Sequence, residues 1–137
     1  MKKNKIIYWT ATGIIGAMML FSAFSYLTNQ EMKAAFVHLG FPNYFRIELA
    51  IAKIIGVIVL LLPFIPKEIK DMAYVGFGIT FISAFIAHTS SGDPILVAIM
   101  PLIFLGILVV SFTYSKKYLA IRNVSSNNPS KEIFSFK

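Results

Sequence analysis

The chain has 137 residues, of which 57% are hydrophobic and only 14% charged. This composition excludes an ordinary soluble domain, in which about a quarter of the residues are charged. The net charge is +7. The chain has no cysteine, and this absence excludes disulfides, thiolate zinc sites, iron–sulfur ligation and a Cys-x-x-Cys redox centre.

Four apolar segments are long enough to cross a bilayer as helices. A hydrocarbon core about 30 Å thick needs roughly 20 residues at a rise of about 1.5 Å per residue. We therefore predict an all-α, integral membrane four-helix bundle with helices at about 6–27, 44–64, 72–90 and 95–114. These helices form one membrane domain over residues 1–115. A basic tail, residues 116–137, is expected to be disordered.

The first segment has a second interpretation as a secretory leader. Lys2, Lys3 and Lys5 precede 22 uncharged residues, a pattern that a signal peptide also shows. However, the apolar run is longer than usual for a leader, and no clean small-x-small cleavage site follows it. A retained helix is therefore the preferred interpretation.

Residues 28–40, between the first two spans, predict a short amphipathic helix in the first outer loop. Thr28 and Glu31 fit a capping box at its start, and Gly40 followed by Pro42 ends it. Its apolar stripe consists of Met32, Ala35, Phe36 and Leu39. Such a helix lies on the membrane surface or dips between the spans.

The distribution of lysine and arginine predicts the orientation. One side of the membrane would carry ten of them, namely Lys2, Lys3, Lys5, Lys67, Lys70, Lys116, Lys117, Arg122, Lys131 and Lys137. The other side has only Lys33 and Arg46, so the positive-inside bias places both chain ends in the cytoplasm. Because the basic residues flank helices and form no patch with interleaved aromatics, we expect membrane lipid as a partner and no nucleic acid.

Lys53 lies within the second apolar segment. Only residues 54–65 separate it from Pro66, and these twelve residues make roughly 18 Å of helix, too little to cross a bilayer. If the segment spans the membrane, Lys53 lies inside the hydrocarbon region, where a lysine at a helix centre costs about 2.5–3.5 kcal/mol. Glu48 is about 140° away round the helix, so a partner on another helix is expected.

Most polar residues other than the flanking lysines fall in the predicted outer half of the membrane. We predict a polar cluster there, formed by Lys53, Glu48, His88, Asp93 and His38. Ser22, Ser25 and Tyr26 of the first span have the same predicted depth and are candidate partners. The inner half shows almost nothing comparable.

Each member of this cluster also has a purely structural interpretation. Lys53 can snorkel or pair structurally, and Glu48 can neutralise a cation at the interface. His88 can bond a helix-end carbonyl, although imidazole also suits proton handling. Asp93 can be the N-cap of the last helix, with Pro94 at its first position. The spacing of the histidines and carboxylates provides no i, i+4 pair, so no metal site is predicted.

Several motifs occur in a specific order and spacing. They are His38-Leu39-Gly40-Phe41-Pro42 with Tyr44-Phe45, Ala52-Lys53-Ile54-Ile55-Gly56 leading to Leu61-Leu62-Pro63 and Pro66, Lys70 to Phe77, and Ala87-His88 with Gly92-Asp93-Pro94. Up to about residue 115, the chain resembles the DoxX-like family of small four-helix bacterial membrane proteins. The resemblance implies a multi-pass protein of the bacterial cytoplasmic (inner) membrane. Some members look like subunits associated with quinone-linked sulfur oxidation, and distant relatives look like assembly helpers for other membrane proteins.

Three functional hypotheses follow. The first is an accessory subunit or assembly factor that binds another membrane protein or a second copy of itself. The second is a quinone-linked oxidoreductase component in which Lys53, Glu48 and His88 handle protons beside a bound quinone. The third is a small permease or proton-coupled exporter. The absence of a nucleotide, flavin or haem motif favours the first, and the lack of an inverted repeat weakens the third. No catalytic residue is assigned, and a quinone is the one cofactor left open.

Overall fold

The computed structural model describes residues 2–126, with side chains through residue 120. Within this range the chain forms helices joined by short turns and contains no strand. The helices are α1 (Lys2–Thr28), α2 (Gln30–His38), α3 (Asn43–Leu61), α4 (Lys67–Ser90) and α5 (Ile95–Ser126). The prediction of an all-helical protein is confirmed.

Three of the helices are long and apolar enough to cross a membrane: Lys2–Thr28, Lys67–Ser90 and the Ile95–Ala120 part of α5. The fourth long helix, α3, has 19 residues and is strongly apolar on average, but it carries three charged residues, Arg46, Glu48 and Lys53. The described residues therefore include three helices with the length and composition of membrane spans, and α3 differs from them by carrying charged residues within its apolar run.

The four long helices pack in a closed ring. Helix α1 contacts α3 and α5, α4 contacts the same two helices, and α2 lies against α1 and α3. The apolar core consists of Ile15, Met19, Val57, Leu60, Tyr74, Phe77, Phe81 and Leu108. We call the end formed by α2 and residues 91–94 the histidine end, and the opposite end, formed by the start of α1 and residues 62–66, the basic end.

The turns at the histidine end depend on two glycines and one cap. Gly40 (φ 84°) follows α2 and Gly92 (φ 74°) follows α4, and this left-handed conformation suits glycine. The N-cap of α2 is Asn29, whose side chain accepts a 2.9 Å bond from the Glu31 amide. The predicted capping box at Thr28 is therefore wrong: Thr28 completes α1 and donates to the Phe24 carbonyl at 2.8 Å.

The helices extend beyond the apolar segments from which they were predicted. Helix α1 begins at Lys2 instead of residue 6, and α4 begins at Lys67 instead of residue 72. Helix α5 continues to Ser126, so residues 116–126 of the tail predicted as disordered are helical. No glycine or proline interrupts residues 107–128, and the Tyr118 ring stacks on Tyr8 at 5.4 Å between centroids. The remainder of the predicted tail, residues 127–137, lies outside the described residues.

Candidate functional site

The histidine end brings together three of the five predicted cluster residues. His38 Nε2 lies 2.9 Å from Asp93 Oδ1, and His88 Nδ1 lies 2.7 Å from Asp93 Oδ2. We call this group, His38–Asp93–His88, the clasp. It ties α2 to the turn between α4 and α5, across 55 residues of sequence.

The turn after α4 positions Asp93 in the clasp. Gly92 reverses the chain, and the Asp93 amide donates to the His88 carbonyl at 3.1 Å. Both carboxylate oxygens bond imidazoles, whereas the amides of Val97 and Ala98 bond the Pro94 carbonyl. Among the described residues, the Asp93 side chain bonds the two histidines and no backbone amide at the start of α5, so the N-cap interpretation is not supported.

The clasp favours the ionised form of its carboxyl group. The bond from His88, followed by that from His38, lowers the pKa of Asp93 below its usual value of 3.8. The side chain of His38 is 57% exposed, against 24% for His88 and 18% for Asp93. Two imidazoles on one carboxylate, open to water at His38, can take up and pass on a proton. In the part of the chain that the structure describes, no group of three or more such side chains is arranged to hold a metal ion.

Lys53 is buried between α3 and α1. Its side chain is 4% exposed, and Nζ donates to Ser22 Oγ at 2.9 Å. The same nitrogen lies 3.8 Å from the centroid of the Tyr26 ring. The prediction of a partner on another helix is confirmed. No carboxylate of the described residues lies within 4.0 Å of this nitrogen, so its neighbours are a hydroxyl and an aromatic face.

Arg46 is a second buried cation on the same face of α3. It lies seven residues before Lys53, about two helical turns away, and is 8% exposed. Its Nε and Nη2 donate to Asn43 Oδ1 at 3.3 and 2.8 Å. Arg46 was not among the predicted members of the cluster, although its seven-residue spacing from Lys53 indicates that the two share a face.

A row of aromatic rings connects the helices around these cations. Tyr26 packs edge-on against Phe36 of α2 at 4.8 Å, and Phe36 lies 6.0 Å from Phe41. Phe41 then stacks on Phe45 of α3 at 4.8 Å. The row joins the ring that covers Lys53 to the helix that carries His38.

The model of the DoxX-like family matches residues 10–111, which include the clasp, both buried cations and the aromatic row. The chain belongs to the DoxX-like family. It is accordingly a small membrane protein, and this membership brings no specific activity with it. No curated protein and no solved structure matches the chain.

Glu48 of this DoxX-like protein lies apart from the other four predicted cluster residues. It is exposed on the face of α3 opposite the buried cations. Its neighbours on that face are exposed isoleucines, Ile47 (38%), Ile51 (50%) and Ile55 (57%). Among the described residues, its carboxylate forms no ion pair. Glu48 therefore presents a charge on an otherwise apolar outer surface.

The basic half of this DoxX-like protein is more polar inside than its sequence indicated. Ser111 Oγ lies 2.7 Å from both Thr12 Oγ1 and Tyr74 OH, and all three residues are buried. Lys70 is 2% exposed and donates to the Leu60 carbonyl at 3.3 Å. The sequence had indicated almost nothing in this half comparable to the outer cluster, and these buried hydroxyls were not predicted. The hydroxyls at four-residue spacing, Tyr8 with Thr12 and Ser111 with Ser115, were the available signal.

Proposed function

We propose that this protein is an accessory subunit or assembly factor of a membrane complex and that the outward face of α3 binds the partner protein. We also propose that α3 is a fourth span in a four-helix bundle of the bacterial cytoplasmic membrane, with both chain ends in the cytoplasm. The contacts of α3 with both α1 and α4 support this arrangement. The concentration of lysines at the basic end supports the orientation.

The observation that carries the docking proposal is the position of Glu48. The residue lies five positions into α3, about 7.5 Å along the helix, among exposed isoleucines. Charged groups at membrane depth are unfavourable unless they are paired or reach water. A partner helix with a lysine, arginine or hydrogen-bond donor at this depth would cover the isoleucines and pair with the carboxylate.

The isoleucines alone would not distinguish a partner helix from lipid. Lipid tails are as apolar as isoleucine, so helix association in membranes depends on close packing and polar contacts. Glu48 is the polar contact that α3 offers on this face. A cationic partner is therefore favoured over a purely apolar one, and Glu48 provides the specificity.

Site-specific photo-crosslinking tests this proposal. A photoreactive residue at Ile51 or Ile55 should give an adduct of one defined mass with another membrane protein. The same group at Ile79 of α4, which is 59% exposed, should not. Glu48→Gln should reduce the adduct, whereas Glu31→Gln, at an exposed carboxylate in α2, should leave it unchanged. Adducts with lipid alone at every position would refute the proposal, and an adduct with a second copy would replace it with self-association.

The absence of cysteine allows a clean test of the topology. In intact cells, an impermeant thiol reagent should label Lys33→Cys and Ser90→Cys. The variants Lys3→Cys and Lys67→Cys should react only after the cells are permeabilised. Labelling of Lys3→Cys or Lys67→Cys from outside intact cells would contradict the proposed orientation.

The clasp favours a second candidate, a quinone-linked oxidoreductase component that handles protons at the histidine end. The clasp joins a water-exposed imidazole to a less exposed one, and the buried Lys53 could donate a hydrogen bond to a quinone oxygen. Native mass measurement of gently extracted protein separates the candidates. A quinone that is lost in Lys53→Ala supports this candidate, and a second subunit supports the accessory role. A mass that corresponds to the chain alone, with neither quinone nor second subunit, contradicts both candidates. Substrate flux in proteoliposomes would instead support a small permease.

A further inference from the structure

Five hydroxyl-bearing side chains converge in the basic half of the helix core, away from the clasp and from Glu48. They are Tyr8 and Thr12 of α1, Tyr74 of α4, and Ser111 and Ser115 of α5, and none is more than 3% exposed. The apolar core residues Ile15, Val57 and Leu108 are comparably buried. The five hydroxyls therefore form a buried polar cluster, which we call the polar island, among helices that are otherwise apolar.

Three members of this island already form a complete hydrogen-bonded chain. Ser111 Oγ is 2.7 Å from Thr12 Oγ1 and 2.7 Å from Tyr74 OH. Because a serine hydroxyl has one donor and two acceptor positions, it can serve both neighbours at once. This chain links α1, α4 and α5.

The other two members, Tyr8 and Ser115, are buried without such a partner. Each is 1% exposed, and neither hydroxyl hydrogen-bonds to any residue within the described range. The Tyr74 hydroxyl is a near neighbour of both and Thr12 is a near neighbour of Tyr8, although none of these pairs meets full hydrogen-bond geometry. A buried hydroxyl left unsatisfied is strongly unfavourable, and native proteins normally satisfy such groups with protein or ordered water.

Helix geometry brings the two unsatisfied hydroxyls to the same level. Tyr8 precedes Thr12 by four residues on α1, and Ser115 follows Ser111 by four residues on α5. Since the two helices run antiparallel, both residues lie one turn towards the basic end from the bonded Thr12–Ser111 pair. The stacking of Tyr8 on Tyr118 continues the α1–α5 contact in the same direction.

We propose that Tyr8 and Ser115 jointly bind one ordered water molecule, with the Tyr74 hydroxyl as its third partner. A buried water typically makes about three hydrogen bonds to groups that lack other partners. Tyr8 OH, Ser115 Oγ and Tyr74 OH supply that number from three different side chains. The bound water extends the Thr12–Ser111–Tyr74 chain by one helical turn. The resulting hydrogen-bond network joins α1, α4 and α5.

A groove lined in part by Tyr74 favours water over a lipid-borne ligand at this site. It is an open groove of about 140 Å³ between α4 and α5, lined by Tyr74, Val75, Gly78, Leu105, Leu108, Val109 and Phe112. The surface that these residues present to the groove is entirely apolar. A ligand entering from the lipid would therefore meet the ring of Tyr74 and not the hydroxyls. A small molecule held on the inner side of Tyr74 satisfies them instead.

A double-substitution cycle on the full-length protein in nanodiscs tests the shared water. Tyr8→Phe and Ser115→Ala should each lower the melting temperature, because each leaves the water with too few partners. The double variant should melt close to the worse single variant, since both substitutions remove the same molecule. Thr113→Ala is the matched control, because its hydroxyl is exposed and bonds the Val109 carbonyl of its own helix. Single substitutions that leave stability unchanged or raise it, or effects that simply add, would overturn the proposal.

Radiolytic hydroxyl labelling provides the second readout, because the radical forms from water beside the labelled side chain. Tyr8 should be labelled well above Phe77 and Phe81, which are each 4% exposed within the apolar core. Ser115→Ala should reduce the labelling of Tyr8 several-fold and leave both phenylalanines unchanged. Labelling of Tyr8 no greater than that of Phe77 would overturn the water site, even if the two substitutions prove coupled. None of these outcomes depends on a partner protein, so they test this site separately from the proposed function.

Discussion

Lys53 Nζ lies 3.8 Å from the centroid of the Tyr26 ring, so an ammonium on α3 is covered by an aromatic face on α1. A desolvated cation–π contact contributes about 2 kcal/mol or more. The insertion of a lysine at a helix centre costs about 2.5–3.5 kcal/mol. The Tyr26 ring, together with the 2.9 Å bond to Ser22, therefore offsets most of this cost without a carboxylate. We therefore expect Lys53 to contribute little net stability to the fold.

We expect Lys53→Met to change the free energy of unfolding by less than about 1 kcal/mol. Methionine keeps the length of the side chain and removes the desolvated charge, and replacing a buried charge by an apolar group of similar size is often neutral or stabilising. Tyr26→Leu, in contrast, leaves the buried ammonium without its aromatic cover and should lower stability by about 1–3 kcal/mol. Unfolding in detergent micelles measures both values. A loss from Lys53→Met as large as that from Tyr26→Leu would contradict this account and make Lys53 a structural residue.

The Asp93 carboxylate should stay ionised, and should keep stabilising the clasp, well below neutral pH. The folded-state pKa of Asp93 is lowered from 3.8, so its stabilising contribution is fully present above that value. The contribution is lost only as the pH falls through the lower folded-state pKa. The melting temperature of wild type should therefore exceed that of Asp93→Asn above this range, and the two should converge below it. Glu68→Gln, at an exposed carboxylate of α4, is the control. A difference that has already vanished at pH 5 would refute the lowered pKa.

Residue patterns predicted the helices and the neighbours of Lys53 for clear physical reasons. Long apolar runs require helices in lipid, and a lysine too far from either end of its segment must turn towards another helix. The outward direction of Glu48 follows from the same helical pattern, because Glu48 lies about 140° round the helix from Lys53. The buried positions of α3 are Arg46, Ala50, Lys53, Val57 and Leu60, a helical stripe that leaves Glu48 on the other side.

The features that the sequence could not predict depend on pairing between distant residues. Thr12 and Ser111 are 99 residues apart, and only the packing of α1 on α5 brings their hydroxyls together. Serine, threonine and tyrosine carry no charge, so their presence in apolar segments gives no signal like that of Lys53. The clasp was predicted as part of a broader cluster. Its geometry additionally required the turn at Gly92, which directs Asp93 towards both histidines.

The contact between Gly56 and Phe77 provides a test of the packing of α3 on α4. A Cβ atom added at Gly56 would lie 2.5 Å from Cζ of Phe77, whose ring is 4% exposed in the apolar core. Gly56→Ala must therefore move a ring that is held on all sides, and overpacking of this kind typically costs about 1–3 kcal/mol.

Gly76→Ala is the matched control on the facing helix, because a Cβ there meets nothing within 4 Å. It should stabilise the protein by about 0.5–1 kcal/mol, since alanine favours the helix over glycine. Unfolding of both variants in the same detergent should therefore show shifts of opposite sign. Adding Phe77→Leu to Gly56→Ala should cost less than the sum of the two single substitutions, because the smaller side chain relieves the clash. If Gly56→Ala instead behaves like Gly76→Ala, α3 and α4 are not packed this closely, and the position of Lys53 relative to α1 would need revision as well.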